Sequence, residues 1–91
     1  MDRSRYNFKG LRGSATYTGG AVADGSFTAQ NITISAAALG DWVMVSFSAD
    51  ITDLQLDAQV TVADTVTVTF YNQTGASVTP SGTIYVSIAK R

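Results

Sequence analysis

The aspartates are the residues of this sequence whose type and spacing could support chemistry. All seven acidic residues are aspartates, and the chain contains neither histidine nor cysteine. Asp50, Asp53 and Asp57 are spaced closely enough to be considered as calcium ligands, or as a converging carboxylate pair of a hydrolase. No EF-hand loop pattern surrounds them, and aspartate in turns is explained by its hydrogen bonds to nearby backbone. Because thiolate and imidazole are also missing, we expect no enzyme, no bound metal and no cofactor.

The basic residues are confined to the two ends of the chain. All six lysines and arginines lie in the first twelve or the last two residues, whereas residues 13–89 hold six aspartates and no basic residue. We interpret residues 1–12 as a basic N-terminal arm and residues 13–91 as one β-domain. The residues of the arm expected to bind a partner are Arg3, Arg5, Tyr6, Phe8, Lys9, Leu11 and Arg12. An acidic body repels phosphate, so an acidic protein surface is a better partner for this arm than nucleic acid.

The surface composition favours close contact with another protein. Charged residues make up 14% of the chain, whereas about 25% is usual for a soluble domain. Serine and threonine fill the polar positions, and burying a hydroxyl costs less than burying a charge. The opening MDRSRYNFKG is polar, and nothing in the sequence suggests a membrane segment. These features indicate an oligomer or a docked subunit.

Apolar alternation beyond the arm predicts six strands. Their predicted ranges are Ser14–Thr18, Ser26–Ser35, Trp42–Ala49, Leu54–Val62, Thr65–Tyr71 and Thr83–Ala89. Short strands separated by glycine-rich and polar turns are typical of an all-β fold. We expect a small antiparallel β-sandwich or jelly-roll-like barrel of 6–8 strands with an N-terminal arm.

Two details of strand pairing also follow from the alternation. The apolar positions in Ser26–Ser35 change parity, which predicts a β-bulge near Gln30 and Asn31. The inward residues of the two strands around Asp64 are all even-numbered, and opposed residues must share a face. This predicts a three-residue loop, 63–65, with Val62 opposite Val66 and a left-handed residue near its end, a conformation that aspartate tolerates.

The strand Trp42–Ala49 is apolar on both of its faces. Trp42 and Met44 point to one side, and Phe47 points to the other. A strand of this kind is covered on both faces, and in a small domain the second cover can be another subunit. We predict an oligomer interface at Trp42, Met44 and Phe47 and a homo-oligomer, with a trimer favoured. The alternative role for Trp42 is that of a core side chain.

Two longer stretches of the sequence combine strand and turn motifs: ALGDWVMVSFSADITDLQLDAQVTVADTVTVTFYNQTG (residues 38–75) and SGTIYVSIAKR (81–91), preceded by GSATYTGG (13–20). Together they resemble a group of small all-β virion proteins of tailed bacteriophages and prophages. In that group an ALGD turn leads into an apolar strand, and a VTVTF strand precedes a closing SGT strand. The resemblance carries no catalytic or ligand residue, and the arm lies outside it.

The resemblance implies a structural role, foremost as a capsid decoration (cement) protein. The implied partner is the major capsid protein or another virion protein, and the implied location is the capsid surface of a virion assembled in the host cytoplasm. The alternatives are a tail-fibre or spike attachment domain and a carbohydrate-binding module. A carbohydrate-binding module needs exposed aromatic residues on one sheet face, for which the candidate residues are Tyr17, Thr69, Tyr71 and Tyr85.

Overall fold

Six β-strands make up the regular structure of the computed structural model, which describes residues 11–51 and 53–91. The strands are β1 (Arg12–Thr16), β2 (Phe27–Thr33), β3 (Trp42–Phe47), β4 (Leu54–Val62), β5 (Thr65–Asn72) and β6 (Thr83–Ala89). The alternation of β-branched and aromatic residues with polar ones suits these segments to a sheet with one buried face. The predicted all-β class and all six predicted strands are confirmed, with shifts of at most a few residues at their ends.

The strands form two antiparallel sheets. Sheet I has the order β1-β6-β3, and sheet II has the order β2-β5-β4. The core lies between them and is formed by the alternating inward residues of both sheets, chiefly Ile32, Val60, Val66, Val68, Phe70, Ile84, Val86 and Ile88. This arrangement confirms the expected small β-sandwich.

The hairpin between β4 and β5 differs from the prediction. Val60 lies opposite Val66 as a shared face requires, but Val62 lies opposite Thr65, with a register shift between Val60 and Val62. The loop therefore has two residues, Ala63 and Asp64, and the predicted pairing of Val62 with Val66 was wrong. A bulge around Thr61, rather than a longer loop, shifts the register by one residue and keeps Val60 and Val66 on the same face. The left-handed conformation expected near the end of the loop is present, since Asp64 has φ 65°.

Strand β2 contains no bulge, so the prediction at Gln30 and Asn31 was also wrong. Its pairing with β5 is unbroken from Phe27 opposite Tyr71 to Thr33 opposite Thr65. Gln30 occupies an inward position: its amide Nε2 donates to the Thr16 carbonyl oxygen at 3.0 Å, and its Oε1 accepts from the Thr18 N–H at 3.0 Å. Gln30 therefore interrupts the apolar alternation without changing the face of the strand. Its inward side chain hydrogen-bonds the backbone at the end of β1 instead of packing in the core.

A buried asparagine organises the loops at one end of the sandwich. Asn72 is fully buried, and its Nδ2 donates to the carbonyl oxygens of Val22 at 2.7 Å and Ala76 at 2.8 Å. Its Oδ1 accepts from the Thr74 N–H at 2.9 Å. These bonds join the segment before β2 to the segment after β5, and we call this end of the sandwich the Asn72 pole.

The domain begins no later than Leu11. Leu11 packs against the core, and its carbonyl oxygen accepts from the Ile88 N–H at 2.9 Å. Arg12 is the first residue of β1. Leu11 and Arg12, which the sequence assigned to the arm, are therefore part of the sandwich. The other arm residues singled out from the sequence, Arg3, Arg5, Tyr6, Phe8 and Lys9, lie outside the described residues.

Candidate partner-binding surface

The outer side of sheet I carries a group of large exposed apolar side chains, Trp42, Met44 and Tyr85. Strand register sets Trp42 beside Ala89, Met44 beside Ser87, and Ser46 beside Tyr85. On the other side of β6, Ser87 adjoins Arg12 and Tyr85 adjoins Ser14. We call this surface face I, and it consists of Arg12, Ser14, Trp42, Met44, Ser46, Tyr85, Ser87 and Ala89.

The large side chains of face I are exposed to solvent. Trp42 is 62% exposed, Met44 59% and Tyr85 50%. The alternative in which Trp42 fills the core is therefore wrong, because its side chain points away from it. Isolated apolar residues are common on protein surfaces, but several of them grouped on one face mark a contact site.

A shallow groove of about 600 Å³ crosses the middle of face I. Its floor is formed by the small residues Gly13, Ser14, Ser46 and Ser87, and Met44 and Tyr85 border it. Small side chains between larger ones on three adjacent strands leave this depression in an otherwise flat sheet. The groove is formed by residues of regular strands, so binding a partner there would require little loss of conformational entropy in this protein.

Face I is nearly free of charge. Within the part of the chain described here, Arg12 is the one charged residue on this face, and the acidic residues lie elsewhere. Asp57 is on sheet II, Asp24, Asp53 and Asp64 are in turns, and Asp41 and Asp50 are in the connections on either side of β3. The acidity of the body is thus segregated away from the outer side of sheet I.

Phe47 lies apart from the other two predicted interface residues. It is on the inner side of β3 and packs edge-on against Phe70, with ring centroids 5.6 Å apart. It also contacts Tyr17, at 6.5 Å between centroids. The structure therefore brings Trp42 and Met44 together on face I and assigns Phe47 to the aromatic core.

The outer side of sheet II has a different character. The hydroxyl groups of Thr61 and Thr67 share a hydrogen bond of 2.8 Å, and Thr67 donates to Asn31 Oδ1 at 2.8 Å. At the end of the sheet nearest the Asn72 pole, Phe27 and Tyr71 form a cross-strand aromatic pair with centroids 5.7 Å apart. This surface is polar in its middle and aromatic at one end, and it exposes Val62 at the other end.

The four residues proposed as an aromatic carbohydrate-binding patch do not share a face. Tyr17 is buried, and its hydroxyl donates to the Gly20 carbonyl oxygen at 2.8 Å. Tyr85 lies on face I, whereas Thr69 and Tyr71 lie on sheet II. The sequence missed Phe27 as the neighbour of Tyr71, because the cross-strand register of β2 and β5 was not known.

The C-terminal basic residues are used within the domain. Lys90 Nζ lies 2.7 Å from Asp41 Oδ2 and also donates to the Ala36 carbonyl oxygen at 2.9 Å. The Ala38 N–H donates to the same Asp41 oxygen at 2.9 Å. The bond from Lys90, followed by that from Ala38, lowers the pKa of Asp41 below its ordinary value. We call this end, opposite the Asn72 pole, the Asp41 pole.

Metal ligands are not grouped in the described part of the chain. No three acidic side chains come close enough there to hold an ion together. Among the same residues, no helix is long and apolar enough to cross a membrane.

Comparison with known proteins gives no assignment. No protein-family model matches the chain, and a search of curated proteins finds no similar sequence.

Proposed function

We propose that this protein is a non-enzymatic structural component of a phage virion, a capsid decoration protein that attaches to the assembled head through face I. The single observation that carries the proposal is the exposed group of Trp42, Met44 and Tyr85 on one side of a sheet, where Met44 and Tyr85 also line a groove. Burial of apolar surface contributes about 25 cal/mol per Å². A face with so little charge loses little hydration energy when it is covered.

The interactions of the aspartates support a structural rather than a catalytic role. The carboxylate of Asp24 accepts from the Gly75 N–H at 2.9 Å, and that of Asp64 accepts from the Ala36 N–H at 2.8 Å. Asp57 accepts from the adjacent Ala58 N–H at 2.8 Å. Each of these carboxylates satisfies a backbone donor in a turn or strand, as aspartate does in many β-proteins.

A decoration protein works by binding the assembled shell and not its free subunits. Selective binding shifts the equilibrium toward the assembled state by mass action. A homo-oligomer that attaches through several copies of face I would gain avidity without any new type of contact. The basic arm would add an electrostatic contribution on an acidic capsid surface.

Co-sedimentation with assembled heads tests this proposal. The variant Trp42→Ser with Met44→Ser should lose attachment by at least tenfold, because it removes two large apolar side chains from the contact. The matched control is Phe27→Ser with Tyr71→Ser, which removes two exposed rings from sheet II and should leave attachment unchanged. Hundreds of copies in each particle would agree with decoration of the shell, whereas a few copies would indicate the tail.

The second candidate function is attachment to carbohydrate through sheet II. It is favoured by the exposed Phe27–Tyr71 pair. On the side of Tyr71 away from Phe27, Tyr71 lines a hollow of about 330 Å³ together with Gln55 and Asp57. Sugar rings stack on aromatic side chains, while carboxylate and amide groups bind their hydroxyls. The same two double variants separate the candidates: glycan binding should be lost in Phe27→Ser with Tyr71→Ser and retained in Trp42→Ser with Met44→Ser.

A further inference from the structure

Strand β3 ends sheet I with a row of backbone groups directed away from the sheet. The Ser48 N–H donates to the Thr83 carbonyl oxygen at 2.9 Å on the β6 side. Because the direction of backbone groups alternates along an antiparallel strand, Trp42, Met44 and Ser46 also turn theirs toward β6. The N–H and C=O groups of Val43, Val45 and Phe47 therefore point to the open edge.

No described strand continues sheet I beyond β3. Strand β4 is the neighbouring strand of the opposite sheet, yet sheets I and II are not joined there by a ladder of hydrogen bonds among the described residues. Peptide groups at a strand edge are matched by the peptide groups of another extended chain, and this chemistry identifies the kind of partner.

The other three sheet edges have features that oppose pairing. The Gln30 amide bridges the edges of β1 and β2 by bonding Thr16 and Thr18. Strand β1 also carries Arg12, and β4 carries Asp57 and a bulge. Natural sheets use charges and bulges of this kind to prevent unwanted pairing. Strand β3, with the sequence WVMVSF, has no charge, proline or bulge.

The sequence of β3 fits a second copy of itself. An antiparallel pairing centred on Val45 sets Val45 opposite its own copy and Val43 opposite Phe47, so all three residues whose backbone groups point to this edge are paired. This gives about six hydrogen bonds, two for each opposed pair. On the outer side, Met44 then lies opposite Ser46, and Trp42 lies opposite Ser48. Each large side chain meets a small one, and no like charges oppose each other.

We infer that two copies of this chain pair through β3 to form a continuous six-stranded sheet with the order β1-β6-β3-β3-β6-β1. The pairing joins two copies of face I side by side on one surface. The two copies are related by a two-fold axis, so this pairing gives an even number of chains, in contrast to the trimer favoured from the sequence. The inference does not depend on what face I binds.

We call the junction between the two β3 strands the seam, and charges introduced along it test whether the dimer forms. The wild-type protein should have twice the 9.6 kDa mass of one chain in light scattering. Met44→Lys with Ser46→Lys adds opposed positive charges at the seam, and both positions are exposed in the single chain, so a folded monomer is expected. The control, Ser14→Lys with Thr16→Lys, adds two charges at the opposite edge of sheet I and should remain dimeric. A wild-type monomer, or a seam variant that stays dimeric, would overturn the inference.

Disulfide trapping tests the register. The wild-type chain contains no cysteine, so Met44→Cys and Ser46→Cys can be made as two single variants. Residues 44 and 46 would form a non-hydrogen-bonded pair about 4.5 Å apart between Cα atoms, a separation at which a disulfide can close. Mild oxidation should cross-link an equimolar mixture of the two variants and neither variant alone. Cross-linking of one variant by itself, or none in the mixture, would contradict this register.

Discussion

Asn72 is the buried polar residue of the described chain, and its loss should destabilise the fold. Its side chain makes three hydrogen bonds in a fully buried site. Asn72→Ala removes these bonds and leaves buried backbone groups without this partner. We expect the free energy of unfolding to fall by about 2–4 kcal/mol, measured by urea denaturation.

Asn31 provides the matched control for this substitution. Its amide oxygen accepts one bond, from the Thr67 hydroxyl on the exposed side of sheet II. Asn31→Ala should therefore change the free energy of unfolding by about 0.5 kcal/mol or less. Equal effects of the two substitutions would mean that the loops of the Asn72 pole contribute little to stability.

Asp41 should give the protein a stability that depends on acid pH. The pKa of Asp41 is lower in the folded protein because of its bonds to Lys90 and to the Ala38 N–H. Its contribution is therefore complete above the unfolded pKa of about 3.9 and is lost as the pH falls through the lower folded value. Asp41→Asn should lower stability at pH 7 and flatten the decline of the unfolding free energy below about pH 5.

Denaturation curves between pH 7 and pH 2 would measure this effect, with Asp57→Asn as the control. The Asp57 carboxylate bonds to the N–H of the next residue in the same strand. The control should keep the acid-dependent loss that arises from Asp41. If Asp41→Asn loses stability in acid as steeply as the wild type, the Lys90 contact does not control the acid response.

At the scale of the secondary-structure elements, Gln30 couples the two sheets along one side of the sandwich. Its amide bonds the Thr16 carbonyl and the Thr18 N–H, at the end of β1. Gln30→Ala should destabilise the domain by about 1–2 kcal/mol and increase hydrogen exchange at the Thr18 N–H. Gln59→Ala, at an exposed position of β4, is the control and should leave that exchange rate unchanged. If the Thr18 N–H exchanges as slowly in Gln30→Ala as in the wild type, the hydrogen bond to Gln30 is not needed to hold this end of β1.

The strands could be located from the sequence, but two local features of their pairing could not. Apolar alternation predicted β4 over its full observed range and set Val60 and Val66 on one face. The prediction failed at Thr61. Either a bulge in β4 or a longer loop would bring the inward residues of the two strands opposite each other, and the sequence does not distinguish between them. The prediction failed at Gln30 because an inward glutamine that caps another strand looks like a change of face. Both errors concern hydrogen bonds made between segments distant in sequence.

The candidate surface was accessible to sequence analysis in part. The alternation of β3 assigned Trp42 and Met44 to one side, and that side is exposed. Tyr85 joins them because β6 lies between β1 and β3, an order that the sequence alone did not reveal. The groove likewise requires the juxtaposition of Ser14, Ser46 and Ser87 from three strands. Sheet order, rather than residue type, is what assembles face I.

At the scale of the whole molecule, the domain boundary can be tested by two truncations. Removing residues 1–10 should leave the sandwich folded, because β1 and the Leu11 contacts with the core and Ile88 remain. Removing residues 1–12 also deletes Leu11 and the first residue of β1, and the melting temperature should fall below that of the shorter truncation by several degrees. Circular dichroism melting measures both. An unfolded product from the shorter truncation would show that residues 1–10 are required for the fold.

Attachment to the partner should depend partly on salt. The residues expected to carry the charge are Arg3, Arg5, Lys9 and Arg12, and exposed charge pairs are screened over about 8 Å at physiological ionic strength. Replacing all four with serine should remove most of the salt dependence of binding, whereas Tyr6→Ala with Phe8→Ala should weaken binding at every salt concentration. Binding measured between 50 and 500 mM salt, on the order of a threefold change in screening length, checks both. Indifference to salt and to the serine variant would assign the contact to the sandwich alone.

The hydrogen bond between Leu11 and Ile88 places the first described residue beside the end of the last strand, at the Asp41 pole. An affinity tag fused after Arg91, or joined directly to Leu11 once residues 1–10 are removed, would leave the sandwich from this side. The loops of the Asn72 pole would stay clear of the fusion, and a peptide displayed in these loops would project the opposite way. Gly75 itself should be kept, because its φ of 92° disfavours other residues and its N–H donates to Asp24. The fold therefore offers a small scaffold on which a label and a displayed peptide are separated by the length of the strands.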